Sequence, residues 1–344
     1  MPTYTTMNPA SSANANRDAF LNDVNLGVPI TIPSGIYDSN YIPVASGKHI
    51  QFIWQAGAVL RPYASLNTPF ISATGCTWDL TDPKIDNRSI AEVAIKAVNG
   101  TFNATGVDIS NCGRNTTSVL GSYALALSAT AGNSLNVSIA GFTGRNVHAL
   151  PNGTYGDQPG LARFLWLSGA TYDISDLDFA TMEGDDADPL HVQGGSGTID
   201  GMVVLIDENM RRFAKYQDGD HVLTNFTGTK KSGWVTYDGT TAVGKRGLNG
   251  IDLCGGGSGG LTLSNGSLDC TPFKIGVCKS VSGAADITVD TVALTGSTLP
   301  AKNLPTPVPN STIGAWNIGG AGCVATWIGA NPTGFTTAKS GTWV

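Results

Sequence analysis

The chain has 344 residues, 44 of them glycine, with 41% apolar and only 13% charged. Twenty Lys and Arg against 26 Asp and Glu give a net charge of −6 with no basic run to track a phosphate backbone, so nucleic acid is excluded as the expected partner. No stretch reaches the roughly 18 to 20 apolar residues of a membrane span, so no membrane insertion is expected.

In chain order, the residues up to Asn25 read as a polar lead and a short amphipathic helix. Asn14 or Asn16 is placed to cap it, and Phe20, Leu21 and Val24 share one face at helical spacing. Pro29 to Tyr37 alternates as a strand and ends on a glycine turn. His49 to Trp54, Gly57 and the alternating Ala58 to Pro62 follow.

From there one phrase recurs: a short alternating strand, a break of small or polar residues that usually holds glycine, and a second alternating strand. It runs through Phe70 to Leu80, Ala94 to Gly100 with Gly106 to Ile109, Leu125 to Leu127 with Leu135 to Ile139, and Leu165 to Leu167 with Tyr172 to Ile174. It continues in Leu190 to Val192 with Ile199, Ala214 to Tyr216 with Val222 and Leu223, Ile251 to Leu253 with Leu261 to Leu263, and Phe273 to Val277 with Ile287 to Val289. The first strands begin 22 to 40 residues apart with no helical pattern between them, which predicts a solenoid of β-coils, a sandwich of hairpins being the alternative. The extra residues fall before the first strand of a coil, in 143–161, 178–189 and 229–249, as expected where one corner bulges while the wall keeps its register. Six cysteines without a CxxC pair read as buried free thiols, with Cys254 and Cys278 at matching positions of adjacent coils.

The opening of the pattern carries a family likeness. An amphipathic segment, then Ile-Thr-Ile-Pro-Ser-Gly-Ile-Tyr37, His-Ile-Gln-Phe52 and Gly-Ala-Val-Leu60, resembles the start of pectate-lyase-like right-handed parallel β-helices, specifically those of bacteriophage tailspikes and capsule depolymerases. The resemblance spans about residues 14 to 295. It implies an all-β fold, a right-handed parallel β-helix (solenoid) with a short N-terminal capping helix and a small C-terminal tail. Residues 1–45 are then the lead and capping helix, 46–296 the β-helix carrying the site, and 297–344 a Pro-rich linker with a C-terminal cap or trimerisation segment. Trp316, Trp327 and Trp343 in that tail suit either a last coil or a surface that packs on partner chains. The likeness also implies a homotrimer on the phage virion. Met1-Pro-Thr-Tyr-Thr-Thr has no signal-peptide pattern, which fits synthesis in the host cytoplasm.

The densest chemistry lies in Glu183 to Gln193, where four carboxylates, a histidine and a glutamine fall within eleven residues. If Leu165, Leu167, Leu190, Val192, Ala214, Tyr216, Ile251 and Leu253 face inward, then Trp166, His191, Lys215 and Asp252 form one outward file, spaced by about 4.8 Å. The loops entering these strands add Asp185, Asp186, Asp188, Glu208, Arg212, Trp234 and Tyr237. An aromatic shelf, a ladder of hydrogen-bonding groups and mixed charge suit a long carbohydrate, here a bacterial surface polysaccharide. Hydrolysis needs one carboxylic acid for the leaving oxygen and one carboxylate as base or nucleophile, and neighbouring carboxylates raise the acid's pKa. Asp185, Asp186, Asp188, Glu208 and His191 are therefore the catalytic candidates. Trp166, Lys215, Arg212, Asp252, Trp234 and Tyr237 are the substrate-binding ones. Gly-Asp-Asp186 also resembles the paired aspartates of polygalacturonases, but the following coils offer Asp218-Gly-Asp-His221 and no Arg-x-Lys.

No cofactor or metal is expected. A solvated acidic turn is the plainer reading of the cluster, and calcium on Asp186-x-Asp188 or Asp218-x-Asp220 is the alternative use of the acids. Three functions stay open: an endo-glycosidase first, then a lyase with Lys215, His191 or Tyr237 as base and Arg212 neutralising a uronate, then a non-catalytic receptor-binding adhesin.

Overall fold

The computed structural model describes residues 2–113, 121–149, 161–183, 186–206, 210, 212–232, 249–270, 273, 275–279, 286–295, 314–318, 325–329 and 337–340. These residues are mostly strand, with a single helix. Every strand pairing among them is parallel. A sandwich of hairpins needs antiparallel neighbours, so that alternative falls and a stack of coils remains.

Each coil contributes three faces. On the first, Ile71, Ile95, Leu125, Leu165, Leu190, Ala214, Ile251 and Val277 lie one above the next. The second stacks Leu80, Ala104, Ile139, Ile174, Ile199, Leu223, Leu263 and Val289. A third, of which the sequence reading had only Gly106 to Ile109 and as a second strand, stacks Ile85, Ile109, Gly144, Phe179, Val204, Gly228, Leu268 and Leu294. These inward files are buried and form one continuous apolar core.

The third face was not read as a face of its own because the corner before it is one residue long. Gly106, Gly141, Asp176, Gly201, Asn225, Asn265 and Thr291 hold positive φ there, and a single left-handed residue turns the chain while stepping the inward parity by one, so that Ile139 is followed inward by Phe142 and Leu223 by Phe226. The glycines of the third face have another use. A Cβ on Gly144 would lie 2.4 Å from the Phe164 ring, and one on Gly228 would lie 2.9 Å from the Phe213 ring. Phe164 and Phe213 therefore reach across the corner before the first face, and Phe164 stacks on Phe179 at 4.8 Å between centroids.

The helix, α1 (Ala13–Leu26), is capped by Ser12 and not by Asn14 or Asn16. Ser12 has extended dihedrals and its hydroxyl accepts from the Ala15 amide, whereas Asn16 is buried, taking the Asn8 amide and donating to the Asp38 carbonyl. Phe20 closes the end of the core by stacking on Phe52 at 4.4 Å. Thr3–Tyr4 adds a rung on Ile30 and Thr31 that the sequence did not announce. In the C-terminal tail, Gly314–Ile318, Ala325–Ile328 and Thr337–Ser340 continue the parallel pairing. The segment 299–309 and Trp343 lie outside the described residues. Cys76, Cys112, Cys254, Cys270 and Cys278 are free and buried, as expected, and Cys323 lies outside the described residues. Among the described residues no helix is long and apolar enough to cross a membrane.

Inside the corner between the first and second faces lies a buried histidine. The Tyr172 hydroxyl donates to His221 Nδ1 at 2.8 Å, and His221 Nε2 donates to the Asp218 carbonyl. Burial lowers the pKa of His221, against opposing contributions from the Asp218 carbonyl and the Asp220 carboxylate. The folded pKa is depressed, so the folded state binds this proton less readily than the unfolded chain. His221 thus contributes stability that is fully present above the ordinary histidine value of about 6.5 and is lost as pH falls toward its folded pKa. Urea midpoints measured at several pH values should decline below about pH 6.5, and His221→Gln should flatten that decline. An unchanged slope in the variant assigns the acid sensitivity elsewhere.

Candidate functional site

The site is built on a break in alternation just before the first face. Ala124 and Leu125, Phe164 and Leu165, and Phe213 and Ala214 are consecutive residues that are all buried. The amides of both Phe164 and Leu165 bond to the Pro189 carbonyl, so one carbonyl of the next rung serves two residues of this one. The outward residues on either side of each break are therefore three apart. They appear in the sequence as Tyr123-Ala-Leu-Ala126, Arg163-Phe-Leu-Trp166, Asp188-Pro-Leu-His191 and Arg212-Phe-Ala-Lys215. Two outward files result, side by side.

The strand file is the one read from alternation. Trp166 pairs with His191, His191 with Lys215, and Lys215 with Asp252. The corner file holds Tyr123, Arg163, Asp188 and Arg212, with Tyr123 in register with Arg163, the Asp188 amide on the Ala162 carbonyl and the Arg212 amide on the Ala187 carbonyl.

Contacts cross diagonally from corner file to strand file one rung on. Tyr123 lies against Trp166 with ring centroids 5.7 Å apart. Arg163 Nε donates to His191 Nδ1 at 3.1 Å, and Arg212 Nε donates to Asp252 Oδ2 at 3.0 Å. Along the corner file, Asp188 is held from both sides, by Arg163 Nη2 at 3.3 Å and by Arg212 Nη1 at 3.3 Å. His191 accepts at Nδ1, so its proton is on Nε2, which donates to Gln217 Oε1 at 2.8 Å. That fixes the neutral tautomer.

Alternation of charge along the corner, Arg163, Asp188, Arg212, is what makes this burial tolerable. Asp188 is 0% exposed, Asp252 1%, and His191 and Arg212 8% each. Removing such groups from water costs several kcal/mol per ion unless each is paired, as these are. The second oxygen of Asp252, Oδ1, is buried without a hydrogen-bond partner among the described residues. Lys215 is half-buried and makes no hydrogen bond or ion pair among the described residues.

Two expectations change. An open groove with Asp188 hanging from a solvated bulge is not what these residues form, since Asp188, Asp252, His191 and Arg212 are all buried. Two guanidinium groups face the Asp188 carboxylate, at 3.3 Å each, so its oxygens are turned to the corner file. Cys254 and Cys278 do not stack either, because Cys278 is in register with Asp252 and Cys254 with Gln217. Burial first, then the Asp252 carboxylate, push the Cys254 thiol up to about 11 and the Cys278 thiol up to about 12. Both stay protonated and neither is a ready nucleophile.

The other expected residues divide as follows. Trp166 and Lys215 are half-buried in the strand file. Asp186 is placed by its backbone, paired with Leu161. Asp185, Glu208, Trp234 and Tyr237 lie outside the described residues. Sequence reading missed Arg163, Tyr123 and Gln217. The signal for the first two was the recurrent pattern of one outward residue, two inward residues and one outward residue. Among the described residues no group of three His, Cys, Asp or Glu is placed to hold a metal ion.

Register and side-chain geometry together define a three-faced parallel coil with a buried, ion-paired ladder along one corner. No family model and no curated protein matches the chain. Among solved structures, the A-module of the mannuronan C-5 epimerase AlgE4 of Azotobacter vinelandii aligns with 99% of this chain and 97% of that module, at 11% identity and a TM-score of 0.36. An alignment that weak carries no weight for the chemistry of this chain.

Proposed function

We propose that the chain is an endo-acting polysaccharide depolymerase on a right-handed parallel β-helix, which hydrolyses glycosidic bonds of a bacterial capsule or O-antigen as the trimeric tailspike of a phage. The observation that supports the polysaccharide reading is the double file. Above a frame of buried His191 and Asp252, the half-buried aromatic pair Tyr123 and Trp166 lies beside the strand file in which the half-buried Lys215 ammonium follows Trp166 by two rungs. A glycan offers an apolar ring face for the aromatic pair and hydroxyls for the ammonium. The tailspike and trimer assignments rest on the likeness of the N-terminal stretch to that family.

In this reading Arg163, Asp188, Arg212 and Asp252 form the rigid frame, and the acid and base of hydrolysis fall to Asp185, Asp186 and Glu208. One protonates the leaving oxygen while another, as carboxylate, activates water or attacks the anomeric carbon. Capsule and O-antigen preparations incubated with the protein should lose chain length and gain reducing ends, without product that absorbs in the near ultraviolet. Among Asp185→Asn, Asp186→Asn and Glu208→Gln, at least one should lower the rate by about 10²-fold or more. Full activity in all three overturns this assignment.

One observation favours a second reading. Lys215 is half-buried and its side chain makes no hydrogen bond or ion pair among the described residues, and a lysine takes up the proton beside a uronate carboxylate when it is in its neutral amine form. Elimination would leave a ring double bond absorbing in the near ultraviolet, and Lys215→Met would abolish it. Binding without any loss of chain length is the outcome of an adhesin.

A further inference from the structure

A cavity of about 230 Å³ opens at the N-terminal end of the coil, far from the charged ladder. Its walls include Ser11, Asn14, Asp38, Asn40 and Tyr63. Tyr63 is 62% exposed, so its ring face is available. Asn40 Nδ2 donates to Asn14 Oδ1 at 2.6 Å, which orients both amides and leaves Asn14 Nδ2 and Asn40 Oδ1 with no other side-chain bond among the described residues. Asp38 is fixed by two parallel bonds from Arg61, at 2.9 and 3.0 Å, with Arg88 Nη1 at 3.9 Å. Its charge is compensated and its orientation set before any ligand arrives.

The α1 terminus beside the cavity does not make this an anion site. Ser12 already takes the Ala15 amide, and the Asp38 carboxylate in the wall repels negative charge. What the cavity offers is an exposed aromatic face, two pre-oriented amides and a pinned carboxylate around space for one ring. We propose that it binds a single neutral pyranose unit, with Tyr63 against the apolar ring face and Asn14, Asn40 and Asp38 on the hydroxyls.

Its position gives the site a purpose. Asn40 precedes Ile42 by two residues, as Arg163 precedes Leu165, and Ile42 belongs to the same inward file through Ile71, Ile95 and Leu125. The cavity and the charged ladder therefore share one corner, four rungs apart, or about 19 Å at about 4.8 Å per rung. A glycan strand lying along that corner meets both. This further role, anchoring a polymer whose other units occupy the ladder, rests on the polysaccharide reading above, whereas binding of the sugar unit does not.

Saturation-transfer NMR with the methyl glycosides of glucose, galactose, mannose and N-acetylglucosamine, and with glucuronate as the anionic counterpart, tests the binding. At least one neutral glycoside should receive saturation from the wild type and from Tyr63→Phe and Lys215→Met, and lose it with Tyr63→Ala. Saturation that survives in Tyr63→Ala, none with any glycoside, or saturation of glucuronate alone overturns the proposal. Such binding in a protein that leaves every polysaccharide intact would uphold the sugar site while refuting depolymerisation. If polymer is cleaved, Tyr63→Ala should weaken affinity for long chains by about tenfold or more and leave short fragments unaffected.

Discussion

Replacing Arg212 by leucine is expected to lower the unfolding free energy by about 3–5 kcal/mol. Arg212 is 8% exposed and donates to two buried carboxylates, Asp252 at 3.0 Å and Asp188 at 3.3 Å. Without it the two carboxylates fare differently. Asp188 keeps Arg163, while Asp252, whose Oδ1 is already without a hydrogen-bond partner among the described residues, loses the guanidinium on Oδ2 as well. Most of the loss should therefore come from the orphaned charge of Asp252. The double variant Arg212→Leu, Asp252→Leu removes that charge together with its partner and should recover much of the stability, because a buried pair replaced by apolar groups is often neutral. Arg212→Lys should recover little, since an ammonium has no planar fork to engage both carboxylates. Urea midpoints for the two single variants and the double decide the matter. A double variant no more stable than Arg212→Leu would place the cost in lost packing of the side chain and not in Asp252.

The same residues show how far the sequence could be read. Alternation around Leu165, Leu190, Ala214 and Ile251 orders Trp166, His191, Lys215 and Asp252 as one file, and the strand register has that order. Pattern could do this because inward and outward positions have a period of two and one face is apolar. It could not reveal Arg163, since the double inward step at Phe164 and Leu165 interrupts the period and hides the outward residue before it. Nor could it detect the two-residue slip at Cys278. Ile275 and Val277 are both apolar and two apart, so aligning either with Ile251 keeps the inward parity, and the register selects Val277. Burial of the file was invisible for a different reason. A polar residue on an outward position reads as solvated, and only the diagonal pairing of Arg163 with His191 and Arg212 with Asp252 shows how such residues are accommodated out of water.

Gly219→Ala should be the most damaging single methyl group this fold can receive among its described corners. Gly219 turns the chain from the first face to the second at φ +90°, and a Cβ there would lie 1.9 Å from the Gly195 carbonyl oxygen of the rung below. Gly195 and Gly259 at the same corner show the same approach, with the added carbon 2.0 Å from the Ala170 oxygen and 2.1 Å from the Gly219 oxygen. The obstacle is backbone on backbone, so no side chain can move aside to relieve it. Rungs there must separate, which breaks parallel bonds on both faces. It would also shift Gln217, two residues earlier, which holds His191 through Oε1 at 2.8 Å. Left-handed strain alone accounts for about 1–2 kcal/mol. Gly47 isolates that contribution, because it has φ +76° and nothing within 4 Å of an added Cβ. Gly47→Ala should therefore stay soluble with a small drop in Tm, while Gly219→Ala should fail to accumulate as folded protein or melt far lower. Equal losses in the two variants would mean that the corner yields to the extra carbon. Tight stacking at the first corner would then not be what holds the His191 rung in place.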